Sequence, residues 1–460
     1  MGSKSLFFKL AILAAVSLVL LVVLARIGWL VDERQMRQRE AVLNVEQAQA
    51  GSQTLLGPLL HRRCVEEWET VSGIGNQRTV TTDKREFRLA SAPALLQVAG
   101  NLNQDARYRG LFKVNGYAGR LQFDAHWHTL EGLQPRAEHA GSRLSCSEPE
   151  LMLASSDARG LRAAELKLDG QSFVVKPGTH HPKYERGLHA DMPGLMARQV
   201  TNAAPLKLLL QLDLSGTERF ALVPAAATTR LSLRSDWPHP SFGGRFLPGA
   251  RDIGVDGFSA QWSVSELSST AAADVLRERP VPGMNDKADK SEAMVDTLDV
   301  SLIDPVNPYV MSDRAIKYGV LFIALTFVTV GLVELLSGRR VHPVQYLLVG
   351  LALSLFFLLL LSLSEHLSFG LAYGTAAGAA VALLTHYGAA MLGSWQRGLG
   401  FGALIAVLYG TLFVLLRLEQ AALVIGSLLL FALLAAVMTL TRKLDWYKLG
   451  AGTTPTLPTR

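Results

Sequence analysis

Residues 341–374 read VHPVQYLLVGLALSLFFLLLLSLSEHLSFGLAYG. The middle of this stretch, Tyr346 to Leu363, is almost purely apolar. About 20 such residues cross the hydrocarbon core of a bilayer as a helix. Arg339, Arg340, His342 and Gln345 stand at one end, and Glu365 and His366 at the other, just before a second apolar run. The pattern is that of a membrane hairpin with polar groups at both water boundaries. A soluble core helix has no need of so long an unbroken apolar run.

Three further apolar runs surround this hairpin. With it they give spans at 318–336, 346–363, 369–387, 399–416 and 421–440. Another run, Leu10 to Leu24, follows Lys4 and Lys9 near the start of the chain. Val23-Leu24-Ala25 resembles a cleavage site, but the run is near spanning length and leads into the charged segment DERQMRQREAVLNVEQAQA. An uncleaved anchor is expected. Positive residues favour the cytoplasmic side. They lie before the anchor, at Arg339 and Arg340, at Arg397, and at Arg442, Lys443 and Lys448. The alternate loops hold Glu365 and His366, then Arg417, Leu418 and Glu419. Six spans with both termini cytoplasmic and the central region outside satisfy this alternation. Tyr318, Tyr346, Trp395, Trp446 and Tyr447 cluster at the expected boundaries as an aromatic belt.

The central region is of another kind. Asp32 to Ala50 reads as a solvated helical stalk with Met36, Val42 and Val45 as sparse contacts, closed by Gly51 and Gly57-Pro58. From about Thr54 to Ser268 the apolar period becomes two. Leu121, Phe123, Ala125 and Trp127 alternate with polar residues, as do Leu206, Leu208, Leu210, Leu212 and Leu214, and Leu231 and Leu233. Alternation with Gly, Asn, Asp and Pro punctuation predicts a β-rich sandwich or open sheet. Residues 277–297 are polar and predict a flexible loop. A short strand, Leu298 to Ile303, precedes the Pro-rich turn into the membrane.

The chain is therefore expected to be a polytopic α-helical membrane protein of six spans, with a large β-rich extracytoplasmic domain inserted between spans 1 and 2. The expected divisions are an anchor at 1–25, a stalk at 26–53 and a periplasmic β-rich domain at 54–313. A five-helix bundle at 314–443 and a cytoplasmic tail at 444–460 follow. The net charge of +6 is explained by basic residues at membrane boundaries and does not imply nucleic-acid binding. Cys64 and Cys146 both fall in the β-rich region. An oxidising compartment permits their pairing, although their distance is not readable from spacing.

HPVQYLLVGLALSLFFLLLLSLSEHLSF resembles the signature of the CreD family. The resemblance extends through RAIKYGVLFIALTFVTVGLVELLSG and LEQAALVIGSLLLFALLAAVMTLTRKLDWYK. In the central region it includes ERQMRQRE, SDWPHPSFGGRFLP and the Gly110 to Gly119 stretch. It implies a bacterial inner-membrane protein linked to envelope integrity and colicin tolerance. It implies no reaction.

Candidate functional residues divide between the two regions. Glu334, His342, Gln345, Glu365, His366 and Glu419 are ionisable or polar groups near membrane boundaries, where a capping role competes with a functional one. Glu365 with His366 has the chemistry of a proton relay. No span centre carries Asp, Glu, Lys or Arg, which weighs against a transporter. Gly370, Gly374 and Gly378 recur every fourth residue and predict close helix packing. Asp236, Trp237, His239, Ser241 and Phe242 form a shaped loop, read as a recognition surface or a structural turn. It lacks the G-x-S-x-G elbow that a hydrolase of that kind would show. His126 and His128 share a strand face, and His180, His181 and His189 form a second group. Neither supplies a metal set, and no metal or cofactor is expected. The expected partners are the lipid bilayer and an envelope protein or polymer.

Overall fold

In the computed structural model the described residues are 3–72, 79–198, 200–201, 203–284, 293–304, 307–337, 341–417 and 422–442. They form two compact units, a helical one (Met1–Gln38 with Val306–Arg460) and a β unit (Arg39–Pro305). Expectations at Arg339, Arg340, Leu418, Glu419, Lys443, Trp446, Tyr447 and Lys448, and within residues 285–292 of the expected flexible loop, lie outside the described residues.

The helical unit holds most of α1 (Ser3–Ala48) together with α3 (Pro308–Ser337), α4 (Pro343–Ser364), α5 (Phe369–Leu392), α6 (Trp395–Arg417) and α7 (Ala422–Thr441). Among the described residues, five helices are long and apolar enough to cross a membrane, one each in α1, α3, α4, α5 and α6. A helix satisfies its own backbone groups, which is why an apolar run takes this form in lipid. The helix starts come from local chemistry. Asn307 Oδ1 accepts the Tyr309 N–H at 3.0 Å, with Pro308 in the first turn where no N–H is needed. This puts the start of α3 ten residues before the apolar run that marks it in sequence. At the end of α5, Gly393 adopts φ 65° and closes the helix onto Ala389 and Ala390.

Leu20, Leu24 and Ile27 of α1 are buried in the same cluster as Phe356, Phe357 and Tyr409. Gly350 of α4 leaves the room that Leu20 fills. The closest helix contact, however, differs from the expected one. Among the described residues, a Cβ built on Gly374 or Gly378 meets nothing within 4 Å, and one on Gly370 meets only the Arg417 guanidinium at 3.8 Å. The tight seam lies between α5 and α6 instead. A Cβ on Gly398 would sit 2.7 Å from the Ala389 backbone nitrogen, one on Gly388 would sit 2.8 Å from Phe401, and one on Gly402 would overlap Thr385. Spacing of four marks a face that permits close approach; it does not say which face has a neighbour. Gly398→Leu is therefore expected to force the two helices apart and cost at least about 3 kcal/mol, whereas Gly374→Leu is tolerated. Thermal unfolding of the purified protein in detergent separates the two.

Among the described residues the β unit has two large sheets and a two-stranded one. Strands are numbered in chain order. The first sheet runs β11 (Lys176–Pro177), β12 (Gly187–Asp191), β8 (Glu150–Ser155), β1 (Gln53–Ser72), β14 (Arg219–Leu222), β19 (Leu298–Leu302), β16 (Pro240–Gly244). β2 (Thr79–Ser91) and β7 (Arg143–Cys146) also pair with β1. The second runs β10 (Gln171–Phe173), β9 (Leu161–Leu168), β13 (Leu206–Thr217), β6 (Gly116–Trp127), β3 (Leu95–Gln104), β15 (Thr228–Ser235), β18 (Gly257–Ser265), β17 (Ala250–Gly254). β4 (Arg107–Arg109) and β5 (Phe112–Val114) form a separate hairpin, and α2 (Ala271–Leu276) is one short helix.

The alternating residues noted in sequence face the other sheet: Leu121, Phe123, Ala125 and Trp127 meet Leu208, Leu210 and Leu212 in one core with Leu55, Leu151, Leu153, Phe220 and Val300. The first half of β1, residues 53–61, does not alternate, because it is covered on both sides. Leu55 and Leu60 enter that core, while Leu56 and Leu59 join a second cluster with Tyr184, Val275, Val281 and Val295. A strand buried on two faces reads as a continuous apolar run. Val281 and Val295 thus anchor both flanks of the expected loop. Cys64 and Cys146 stand opposite each other in the β1–β7 register and form a disulfide with Cα atoms 4.1 Å apart.

Candidate functional site

The boundary residues of the helical unit have internal partners. His342 and Gln345 cap α4 reciprocally. His342 Nδ1 accepts the Val344 N–H at 3.3 Å, and Gln345 Oε1 accepts the His342 N–H at 2.9 Å. The Tyr346 hydroxyl donates to Glu334 Oε2 at 3.0 Å, tying the end of α3 to the start of α4. Glu365, at the C-cap of α4, has a side chain only 10% exposed and lies 3.3 Å from Arg34 Nε. His366 is exposed, and its backbone N–H closes onto Leu363. The His386 ring lies 5.9 Å from Trp395.

Arg34 is the residue that sequence reasoning missed. It sits in the segment taken as a solvated stalk. Its neighbours hold the same junction: Gln35 Nε2 donates to the Tyr309 carbonyl at 3.4 Å, and Asn307 Nδ2 donates to Gln38 Oε1 at 3.0 Å. The available signal was electrostatic, since a carboxylate at a helix C-terminus opposes the dipole and calls for a cation nearby. Removing one partner of a largely buried pair leaves the other charge uncompensated. With Arg34 one-third exposed, Glu365→Gln is expected to cost about 1–2 kcal/mol. The exchange Arg34→Glu with Glu365→Arg should recover much of this. A double-mutant cycle on thermal stability in detergent measures it.

In the β unit the Ser235 to Pro248 motif forms a corner and the edge strand β16. Asp236 Oδ1 accepts the Gln104 N–H at 2.7 Å. Trp237 is buried and its Nε1–H donates to the His239 carbonyl at 2.9 Å. Phe242 packs edge-on against Phe258 and Trp262, each at 5.6 Å. Ser241 pairs with Ser301 in the ladder. Gly243 makes room for the Asp299 carboxylate, which also receives Arg219 Nε at 3.0 Å. Gly244 adopts φ 79° against the Thr297 carbonyl, where a Cβ would not fit. No hydrogen bond joins Asp236, His239 and Ser241 among the described residues. The motif therefore has no assembled nucleophile and base.

The histidines gather elsewhere. His126 bonds Asp124 at 2.9 Å on the outer face of β6. His180 Nδ1 lies 2.9 Å from Glu150 Oε2, and its ring stacks near His189 at 3.9 Å. His61, absent from the sequence reading, is buried beside them. Its Nε2–H donates to the Thr179 carbonyl at 3.1 Å, and its ring is 5.9 Å from that of His181. Burial pushes His61 down to about 4, against the pull of Glu150, and burial with the nearby Arg88 charge takes His181 to about 4. Both rings are neutral at pH 7. Among the described residues no group of three His, Cys, Asp or Glu is arranged to hold a metal ion.

Next to them the sheet has a notch. β7 ends at Cys146 and β8 starts at Glu150, while β1 runs on past the gap. The gap is a cavity of about 230 Å³ lined by His61, Arg62, Arg63, Arg88, Ser147, Glu150 and His180. Ser147 shapes it, its N–H donating to the Arg63 carbonyl at 2.8 Å and its Oγ accepting the Arg63 N–H at 3.1 Å. In sequence only the run His61-Arg62-Arg63-Cys64 hinted at it.

Comparison with known proteins places these features. A family model described as "Inner membrane protein CreD" matches residues 5–447. A protein of Escherichia coli K12 named "Inner membrane protein CreD" is 33% identical over 456 residues, covering 97% of this chain and 95% of its own. Among solved structures, the M1 zinc metallopeptidase of Deinococcus radiodurans matches at 10% identity with a TM-score of 0.22, over 45% of this chain and 41% of its own. A mutant of that enzyme matches at the same identity and TM-score over 42% of its length. This chain thus spans about two fifths of those structures, and a likeness at that score assigns no fold.

Proposed function

The chain belongs to the CreD family of multi-pass inner membrane proteins, and on that footing we propose that it supports cell-envelope integrity, with its β unit as a periplasmic binding or sensing module. In this reading α7 is a sixth span, both termini are cytoplasmic, and the partners are the bilayer and an envelope protein or polymer. The observation that carries it is the disulfide between Cys64 and Cys146. Such bonds persist in oxidising compartments and are rare in the cytosol. The basic residues Arg397 and Arg442 at alternate connections support the same orientation.

The helical unit contributes anchoring rather than ion movement in this account. Glu334 is held by Tyr346 and Glu365 by Arg34, so the carboxylates that a proton-linked carrier would use already have partners. Two experiments test the proposal. Reporters fused at Lys287 give the orientation: alkaline phosphatase should be active there and a fluorescent protein dark, and the reverse would end the periplasmic assignment. Complementation gives the role. A strain lacking the protein should leak periplasmic markers under envelope stress. The full chain should correct this, the chain without residues 54–304 should not, and His366→Gln should correct it as well as the unaltered protein. Correction by the chain without its β unit would overturn the module reading.

A further inference from the structure

We propose that the notch between β7 and β8 is a binding site for a phosphoryl group, built from Arg62, Arg63, Arg88 and Ser147. Arg63 on β1 and Arg88 on β2 are direct cross-strand partners. Like charges placed opposite one another destabilise a ladder. Yet neither guanidinium has a carboxylate partner within 4.0 Å among the described residues, and nor does Arg62. The Nε of Arg62 is buried and has no hydrogen-bond partner among the described residues. A buried donor left unpaired costs free energy that an oxyanion would return.

The charge around the notch is unbalanced. The three arginines bring three positive charges, and the one carboxylate lining the cavity among the described residues, Glu150, is bonded to His180 at 2.9 Å. Glu148 lies close enough to be felt by Arg62, and its Oε2 also accepts the Gly194 N–H at 3.1 Å. His61 is neutral and its Nε2–H is spent on Thr179. With Glu150 and Glu148 both counted, the three arginines leave a net charge of about +1, which favours an anion such as a phosphate monoester, about −1.5 to −2 at pH 7.

The notch lies at an edge of β1, with Arg63 and Arg88 on one face of the β1–β2 ladder, Arg62 on the other and Ser147 across the gap, so the lining donors do not share one plane. A tetrahedral oxyanion, with three or four acceptor oxygens, uses such an arrangement better than a planar carboxylate, and guanidinium groups bind phosphate oxygens in pairs. The cavity is also held open. The Cys64–Cys146 disulfide ties β7 to β1 at one wall. At the other wall His180 holds a left-handed backbone, φ 55°, that carries its ring to Glu150.

This deepens the reading of the β unit as a binding module and rests on it. The test uses the full-length protein in phosphatidylcholine nanodiscs, with inorganic phosphate as the first probe and tryptophan fluorescence following thermal unfolding. Phosphate should raise the unfolding temperature saturably, with a dissociation constant of roughly 1 mM or tighter, and chloride should not. Arg88→Gln should weaken phosphate binding at least about tenfold, the loss of one charge-assisted pair. In phosphate-free buffer the same variant should unfold at the same or a higher temperature, because it removes a like-charge pair. A purely structural arginine would show the opposite sign. Arg251→Gln, on the exposed edge strand β17, should change neither measurement.

Glycerol phosphate and dihexanoyl phosphatidic acid then distinguish the source of the group. Tighter binding of the lipid assigns a lipid headgroup, and equal or weaker binding assigns a soluble phosphoester. No stabilisation by any of the three probes, or equal stabilisation of Arg88→Gln, would overturn the site. A module with a different ligand would still be needed for complementation while showing no phosphate response, so the two failures are separable.

Discussion

Replacing Cys64 and Cys146 together by Ser is expected to remove about 4 kcal/mol from the stability of the β unit. The bond joins residues 82 positions apart. Closing a loop of that length restricts the unfolded chain by about that amount in the loop-entropy account. Local contacts offset little of the loss, because β7 has only four residues on β1. The segment before β7 has its own anchor. Glu66 Oε1, on a fully buried side chain, accepts the N–H groups of Glu138 and His139 at 2.9 Å each and the Ser142 hydroxyl at 2.7 Å. These bonds hold its carboxyl below the usual carboxylate range. That segment should therefore stay docked in the folded variant while the global unfolding temperature falls by roughly 10 °C. Melting with and without reductant measures the fall, and the stacking of Trp68 on His139 at 3.7 Å supplies a local fluorescent reporter. An unchanged melting curve would mean that the reduced, unfolded chain is already restricted there.

Mild acid is expected to weaken the same unit steeply. His61 and His181 are 3% and 6% exposed and titrate near 4 in the fold, against 6.5 in the unfolded chain. Between those values the unfolded state binds more protons, so stability falls as pH falls. The stabilisation is complete above about pH 6.5 and gone below about pH 4. Each ring contributes roughly 3 kcal/mol over that window. Several groups face the two rings. Glu150, 4.0 Å from His61, and Glu278, 3.5 Å from His181, favour the charged forms. Arg88 opposes charge on both rings, and Tyr184 stacks on His181 at 4.8 Å. Burial outweighs the carboxylates. Glu66, whose folded value is lowered from 4.5, loses its contribution at lower pH, so the windows separate. His61→Gln with His181→Gln should flatten the slope between pH 4 and 6.5 in denaturant titrations. A slope unaltered by both substitutions would assign the acid sensitivity elsewhere.

The helices were legible because lipid imposes a single demand, an apolar run of fixed length. Their ends were less so. Pro308 and Asn307 start α3 in a stretch that hydropathy alone reads as a turn. In the β unit, alternation identified β6, β13 and β15, each solvated on one face. The first half of β1, residues 53–61, escaped because neither face is solvated there. Long-range pairings left no mark in the sequence. Arg34 lies more than 300 residues from Glu365, and Arg63 lies 25 from Arg88, so neither pair has a spacing to recognise. The glycines at 370, 374 and 378 show the converse, a regular spacing with open space beside it at Gly374 and Gly378.

The order of the first sheet has a consequence for biogenesis. β1, near the start of the β unit, pairs in parallel with β14, whose residues follow more than 160 positions later. β14 in turn is covered on its far side by β19, at Leu298–Leu302. Nascent chains emerge at about 5–20 residues per second. The β1 edge therefore waits on the order of ten seconds or more for its parallel partner, and the β14 edge waits again for β19. Throughout that interval an unpaired strand template is offered to other chains. Production of this protein should accordingly depend on a holding chaperone until the residues just before α3 have been delivered.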